Sequence, residues 1–172
     1  TPVHTPTPTP TETPTPTPTP ANPDGLANVS TRLFVETGAN IMIGGFIIYG
    51  DAPKKLILRA IGPSLANFGI TDAMPDPNLR LYDSTGSVVA SNDNWRTDQE
   101  AEIIATGIPP TNDLESAIVQ NLTPGNYPAI VRGVNNTTGV ALVEAEAALH
   151  RHVAHVRVVD VHGWRNPERM LV

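Results

Sequence analysis

Residues 40–64 read N-I-M-I-G-G-F-I-I-Y-G-D-A-P-K-K-L-I-L-R-A-I-G-P-S, and no other stretch restricts the fold so much. Two short apolar arms flank a turn. Ile41, Ile43, Phe46, Ile47 and Ile48 make the first; Leu56, Ile57, Leu58 and Ala60 make the second. β-branched and aromatic residues at this density favour strands, while Gly50, Asp51 and Pro53 supply turn chemistry. Gly44-Gly45 interrupts the period of two, which predicts a bulge or a close backbone approach. Arms this apolar need a second layer, so the stretch is expected to be a hairpin at the spine of a β-sandwich.

The rest of the chain fits that frame. Residues 26–36 alternate, with Val29, Thr31, Leu33 and Val35 on one face. Residues 78–91 predict a hairpin turning at Ser84-Thr85-Gly86-Ser87. Strands are also expected at 116–122, 127–134 and 139–144, with turns at Pro124-Gly125-Asn126 and at 135–139. The one helix is expected at 97–107. Thr97 with Glu100 matches a capping box, Gly107 suits the position after the helix, and Pro109-Pro110 forbid continuation. About eight short strands and one helix predict an all-β, antiparallel, jelly-roll-like sandwich. The expected division is an arm and hinge at 1–25, a sandwich at 26–147 and an extension at 148–172. Within that extension, 152–162 could form a strand, and 145–150 could equally form one helical turn.

The first 20 residues obey a two-residue register that never slips: odd positions are Thr except Val3, even positions Pro except His4 and Glu12. Pro excludes helix and favours polyproline II or extended backbone. In an extended strand successive N–H groups point to opposite sides, and Pro deletes those on one side. The Thr N–H groups all face the other way, so this ribbon can bond along one edge only. A solvated, O-glycosylated stalk is the plainer use of such a composition. Residues 21–25, A-N-P-D-G, form a turn-rich hinge.

Composition narrows the function. The chain has 172 residues, a formal net charge of −6 and no run of Lys and Arg, so nucleic acid and anionic membranes are not expected partners. No apolar run approaches the roughly 20 residues of a membrane span. Without cysteine there is no disulfide, thiol nucleophile or thiolate metal site. The first residue is Thr1 rather than Met, so a processed or excerpted chain is expected.

Catalytic patterns are missing. Ser64, Ser91 and Ser116 lie in no G-x-S-x-G elbow, and His150, His152, His155 and His162 all fall in the tail. His150-x-His152 would put two imidazoles on one strand face, without a carboxylate at strand spacing to complete a metal site. Trp95 beside the helix reads as packing, with stacking on a sugar ring as the alternative. Calcium is the one cofactor the loops leave open, because Asp83, Asp93, Asn94 and Asp98 offer hard oxygen ligands there. Asparagine sequons occur at Asn28, Asn121, Asn135 and Asn136, the last two in an expected exposed turn.

Several segments in order, N-V-S-T-R (28–32), T-G-A-N-I-M-I-G-G-F-I-I (37–48), L-I-L-R-A-I-G-P-S-L (56–65), L-Y-D-S-T-G (81–86), S-N-D-N-W (91–95), A-T-G-I-P-P (105–110), E-S-A-I (115–118) and T-G-V-A-L-V-E (138–144), resemble a β-sandwich domain that recurs in tandem in large secreted bacterial surface proteins. More loosely, residues 79–131 resemble the pre-peptidase C-terminal domain of secreted peptidases. The resemblance implies an extracellular, non-catalytic module and transfers no functional residues.

Two functions are therefore expected. The first is a structural subunit of an extracellular filament or surface assembly, partnered by copies of itself. Neighbours would be bridged by the arm (Thr5, Pro6, Thr7, Pro8, Thr9 and Pro10), by the tail strand (Val156 and Val158), or by both. Glycans on Thr7, Thr9, Thr15, Thr17, Asn135 or Asn136 would shield it. The alternative is a carbohydrate- or calcium-binding accessory module of a larger secreted protein.

Overall fold

A computed structural model describes residues 28–148 and 156–159. The arm with His4, and the tail residues His150, His152, His155 and His162, lie outside the described residues. Strands β1 (Asn28–Val35), β2 (Met42–Ile48), β3 (Lys54–Ile61), β4 (Pro77–Tyr82) and β5 (Val88–Asn92) precede a short helix, α1 (Glu100–Ala105). Strands β6 (Ser116–Leu122), β7 (Gly125–Gly133), β8 (Gly139–Ala147) and β9 (Val156–Val159) follow it.

Two antiparallel sheets face each other, in the orders β1-β8-β3-β6 and β5-β4-β7-β2-β9. The first eight strands pair from the outside in: β1 with β8, β2 with β7, β3 with β6, β4 with β5. Pairing of β3 with β8 and of β4 with β7 completes the sheets. This is an eight-stranded jelly roll, the architecture expected from the strand count and turn spacing. A ninth strand is added at the free edge of β2, with Phe46 opposite Val158 and Ile48 opposite Val156.

The spine is not a hairpin. β2 and β3 belong to different sheets, and residues 49–53 carry the chain across the sandwich. Met42, Phe46 and Ile48 bury against the same core as Leu56, Leu58 and Ala60 from the other side. A turn signal marks a reversal but does not say whether the reversal stays within one sheet. Gly44-Gly45 is a close approach rather than a bulge: register with β7 is unbroken, and a Cβ on Gly44 would stand 2.9 Å from Val143 Cγ1 in the opposing sheet.

The central stretches of β3 (56–58) and β6 (117–119) are apolar on both faces because both faces are covered. Their inward residues join the main core, while Ile57, Ala117 and Val119 pack outward on Trp95 and on Ile103 of α1. The 78–91 hairpin forms as expected, with one register shift between Leu81 and Tyr82.

The helix is shorter than expected. It spans Glu100–Ala105, and the residue before it, Gln99, is left-handed (φ 52°, ψ 20°). The Thr97–Glu100 capping box does not form; Thr97 Oγ1 donates instead to Asn94 O at 2.7 Å, and Glu100 pairs with Arg96. The far end is as expected: Gly107, at φ 80°, donates to Ile104 O at 3.0 Å.

Candidate functional site

Three loops meet at one end of the sandwich: residues 62–76, 93–99 and 106–115. Their organiser is Glu115, fully buried. Its Oε1 accepts from Gly62 N (3.2 Å) and Ser64 N (2.9 Å), and its Oε2 accepts from Asn112 N (3.3 Å). Its backbone oxygen accepts from Trp95 N at 2.9 Å. Trp95 is 2% exposed and donates its indole N–H to Asn112 O at 3.2 Å, so the packing reading holds and no sugar platform exists there. Ser64 is also buried, with its hydroxyl 2.7 Å from Thr111 Oγ1. The segments I-G-P-S, S-N-D-N-W and E-S-A-I, far apart in sequence, thus converge on one network.

Beside this network lies an oxygen-rich nest. Ser116 Oγ, buried, stands 2.5 Å from Pro77 O, 2.9 Å from Asn92 O and 2.7 Å from Asp93 O. One hydroxyl proton cannot serve three carbonyl oxygens. Asp93 Oδ1 and Oδ2 receive only long contacts, from Asn78 Nδ2 at 3.5 Å and Asn94 Nδ2 at 3.4 Å. Asp76 Oδ1 and Asn94 Oδ1 are shielded from solvent without any hydrogen-bond donor. Burial pushes the Asp76 carboxyl above its usual range, and the Asp93 charge pushes it the same way. Lone pairs outnumber protons here, an arrangement that costs free energy unless a cation or an ordered water completes it.

Of the four loop residues read from the sequence as oxygen ligands, Asp93 and Asn94 lie in this nest. Asp83 lies in the β4–β5 turn. There its Oδ1 accepts from Thr85 Oγ1 (2.7 Å), Ser87 N (3.0 Å) and Thr85 N (2.8 Å). The Thr85 hydroxyl and Ser87 amide hold the carboxyl below its ordinary range. Asp98 meets only Thr97 Oγ1, at 3.4 Å. Asp76 was missed by sequence reasoning because it lies in the irregular M-P-D-P segment; its placement between two prolines was the available signal. Among the described residues, no three His, Asp or Glu side chains gather closely enough to hold a metal by themselves. Amide and carbonyl oxygens would have to complete the shell, as calcium permits.

Asn135 and Asn136 are exposed and left-handed (φ 53° and 60°) in the turn before β8. Among the described residues, no helix is long and apolar enough to cross a membrane.

Fold and site together define the class: a jelly-roll domain with an added ninth strand and an oxygen-lined loop end. No family model matches the chain, and no curated protein does. Among solved structures, it is similar to the pre-peptidase C-terminal domain of collagenase from Bacillus anthracis, at 13% identity and a TM-score of 0.44. The similarity covers 69% of this chain and 89% of that one.

Proposed function

We propose that this chain is a non-catalytic accessory module of a larger secreted protein, and that it binds calcium at the Asp76–Asp93–Asn94 nest. The observation that carries the reading is the pair of shielded, donor-less oxygens on Asp76 and Asn94 beside the Asp93 carboxylate. Two carboxylates with neutral oxygens make a low-charge site, which suits the roughly 10⁻⁴–10⁻³ M affinities of extracellular calcium modules.

Calorimetric titration of the full chain with calcium chloride tests this. Saturable binding in that range is expected, with a stability gain of about 2.7 kcal/mol when calcium exceeds Kd a hundredfold. Asp93→Asn should weaken binding about tenfold, since one of two charges is lost. No heat and no shift of the unfolding transition at millimolar calcium would overturn the reading.

The addition of β9 to an edge of a complete jelly roll favours a second reading, a subunit of an extracellular assembly. Strand addition of this kind can join neighbours when the donor comes from another copy. Electron microscopy of the purified chain distinguishes the two: regular fibres support the assembly, and a monodisperse single domain removes it.

A further inference from the structure

The four-stranded sheet ends on β1, which among the described residues pairs only with β8. Which β1 residues serve the open edge follows from β8. In an extended strand one residue's N–H and C=O point to the same side, and the side alternates along the chain. Val140 donates to Asp72 O (2.7 Å) and accepts from Met74 N (2.8 Å), while Ala148 N donates to Lys55 O of β3 (2.9 Å). Even-numbered residues of β8 therefore face away from β1. Its odd residues Gly139, Ala141, Val143 and Ala145 face Val35, Leu33, Thr31 and Val29. That leaves Asn28, Ser30, Arg32 and Phe34 with N–H and C=O turned to the open edge.

The ribbon that fits such an edge precedes it in the chain. Thr-Pro alternation gives one side with donors and acceptors and another without donors, so a docked ribbon would bond β1 through Thr and end the sheet with Pro outermost. Residues 22–25, N-P-D-G, carry turn chemistry immediately before β1, with Pro, Asp and Gly at favoured turn positions. We propose that the Thr-Pro tract folds back through residues 22–25 and adds to the free edge of β1 as an antiparallel strand. A four-residue connection sets Thr19 opposite Asn28, Thr17 opposite Ser30, Thr15 opposite Arg32 and Thr13 opposite Phe34. A three-residue connection would set Pro against those residues and leave their carbonyls without donors. The same chain is the occupant because a short connection gives millimolar effective concentration, which a second copy in dilute solution does not match.

Amide hydrogen exchange of the intact chain, read by NMR, tests the parity directly. Ser30, Arg32 and Phe34, together with Thr15 and Thr17, should exchange on the order of tenfold or more slower than an unstructured chain, at any protein concentration. Unprotected even-numbered amides beside protected Thr31 and Leu33 would overturn the proposal. Protection that grows with chain concentration would overturn it too, by assigning the edge to the arm of a second copy.

Discussion

Gln99 is the residue on which a local and a tertiary effect oppose each other most clearly. It is left-handed (φ 52°), a conformation that costs a non-glycine residue roughly 1–2 kcal/mol. Its side-chain amide reaches β6, the outer strand of its sheet, and mimics a neighbouring strand. Nε2 donates to Val119 O at 2.8 Å, and Oε1 accepts from Val119 N at 3.1 Å. Gln99→Ala removes both bonds and keeps the backbone strain, at about 1–3 kcal/mol from two neutral bonds at a partly buried edge. Gln99→Gly loses the same bonds but releases the strain, and it adds about 0.5–1 kcal/mol of unfolded-state entropy. Glycine should therefore be the milder change, by up to roughly 1 kcal/mol. Urea unfolding of the full chain measures both, and exchange of the Val119 amide should accelerate in each variant. An alanine variant within about 0.3 kcal/mol of the parent would refute the clamp. A glycine variant more stable than the parent would show that strain outweighs it.

Three further outcomes are expected. Gly44→Ala should cost about 1–3 kcal/mol by overpacking against Val143, and the cost should shrink when Val143→Ala is added, as a double-mutant cycle by denaturation will show. Gly62→Ala should be worse, because the new Cβ would press on the Met74 carbonyl oxygen, which is backbone and cannot swing away; a fall in melting temperature larger than that of Gly44→Ala is the check. The raised Asp76 carboxyl makes the folded state hold its proton more tightly than the unfolded chain does. In chelator, stability should therefore fall as pH rises from about 3.8 through the folded value, and Asp76→Asn should flatten that fall in a pH series of thermal melts while abolishing the calcium response.

Strand positions were legible because period-two patterns and turn residues are local. Val29, Thr31 and Val35 do turn inward from β1, although Leu33 stays 39% exposed. Pairing was less legible. Gly50, Asp51 and Pro53 encode a reversal, and only the opposing burial of Phe46 and Leu58 reveals that it crosses the core. The helix start was misread for a similar reason. Thr97 and Glu100 have the spacing of a cap, yet the bonds from Gln99 to Val119, 20 residues away, hold the preceding backbone left-handed. Asp93 and Asn94 were found as loop oxygens, but their partner Asp76 arrives from another loop, and no local pattern announces it.

The polar residues at the loop end divide by whether their demands are met. Glu115 meets three backbone amides, and its role ends with holding loops 62–76 and 106–115 together. Asn92 is equally satisfied, its Oδ1 accepting from Ala117 N at 3.0 Å and its Nδ2 donating to Asn94 O at 3.2 Å. Gln99 and Asn92 between them cover the β6 edge at Val119 and Ala117, so that side of the sandwich offers little for another strand. Against this background the unmet oxygens of Asp76 and Asn94 stand out, a few residues from groups the fold satisfies in full. The same contrast holds within the four-stranded sheet: among the described residues, β6 is covered by side chains at one edge, while β1 keeps its outward groups at the other. The acidic nest and the β1 edge are thus two places where a ligand or a strand from outside the sandwich would lower the free energy.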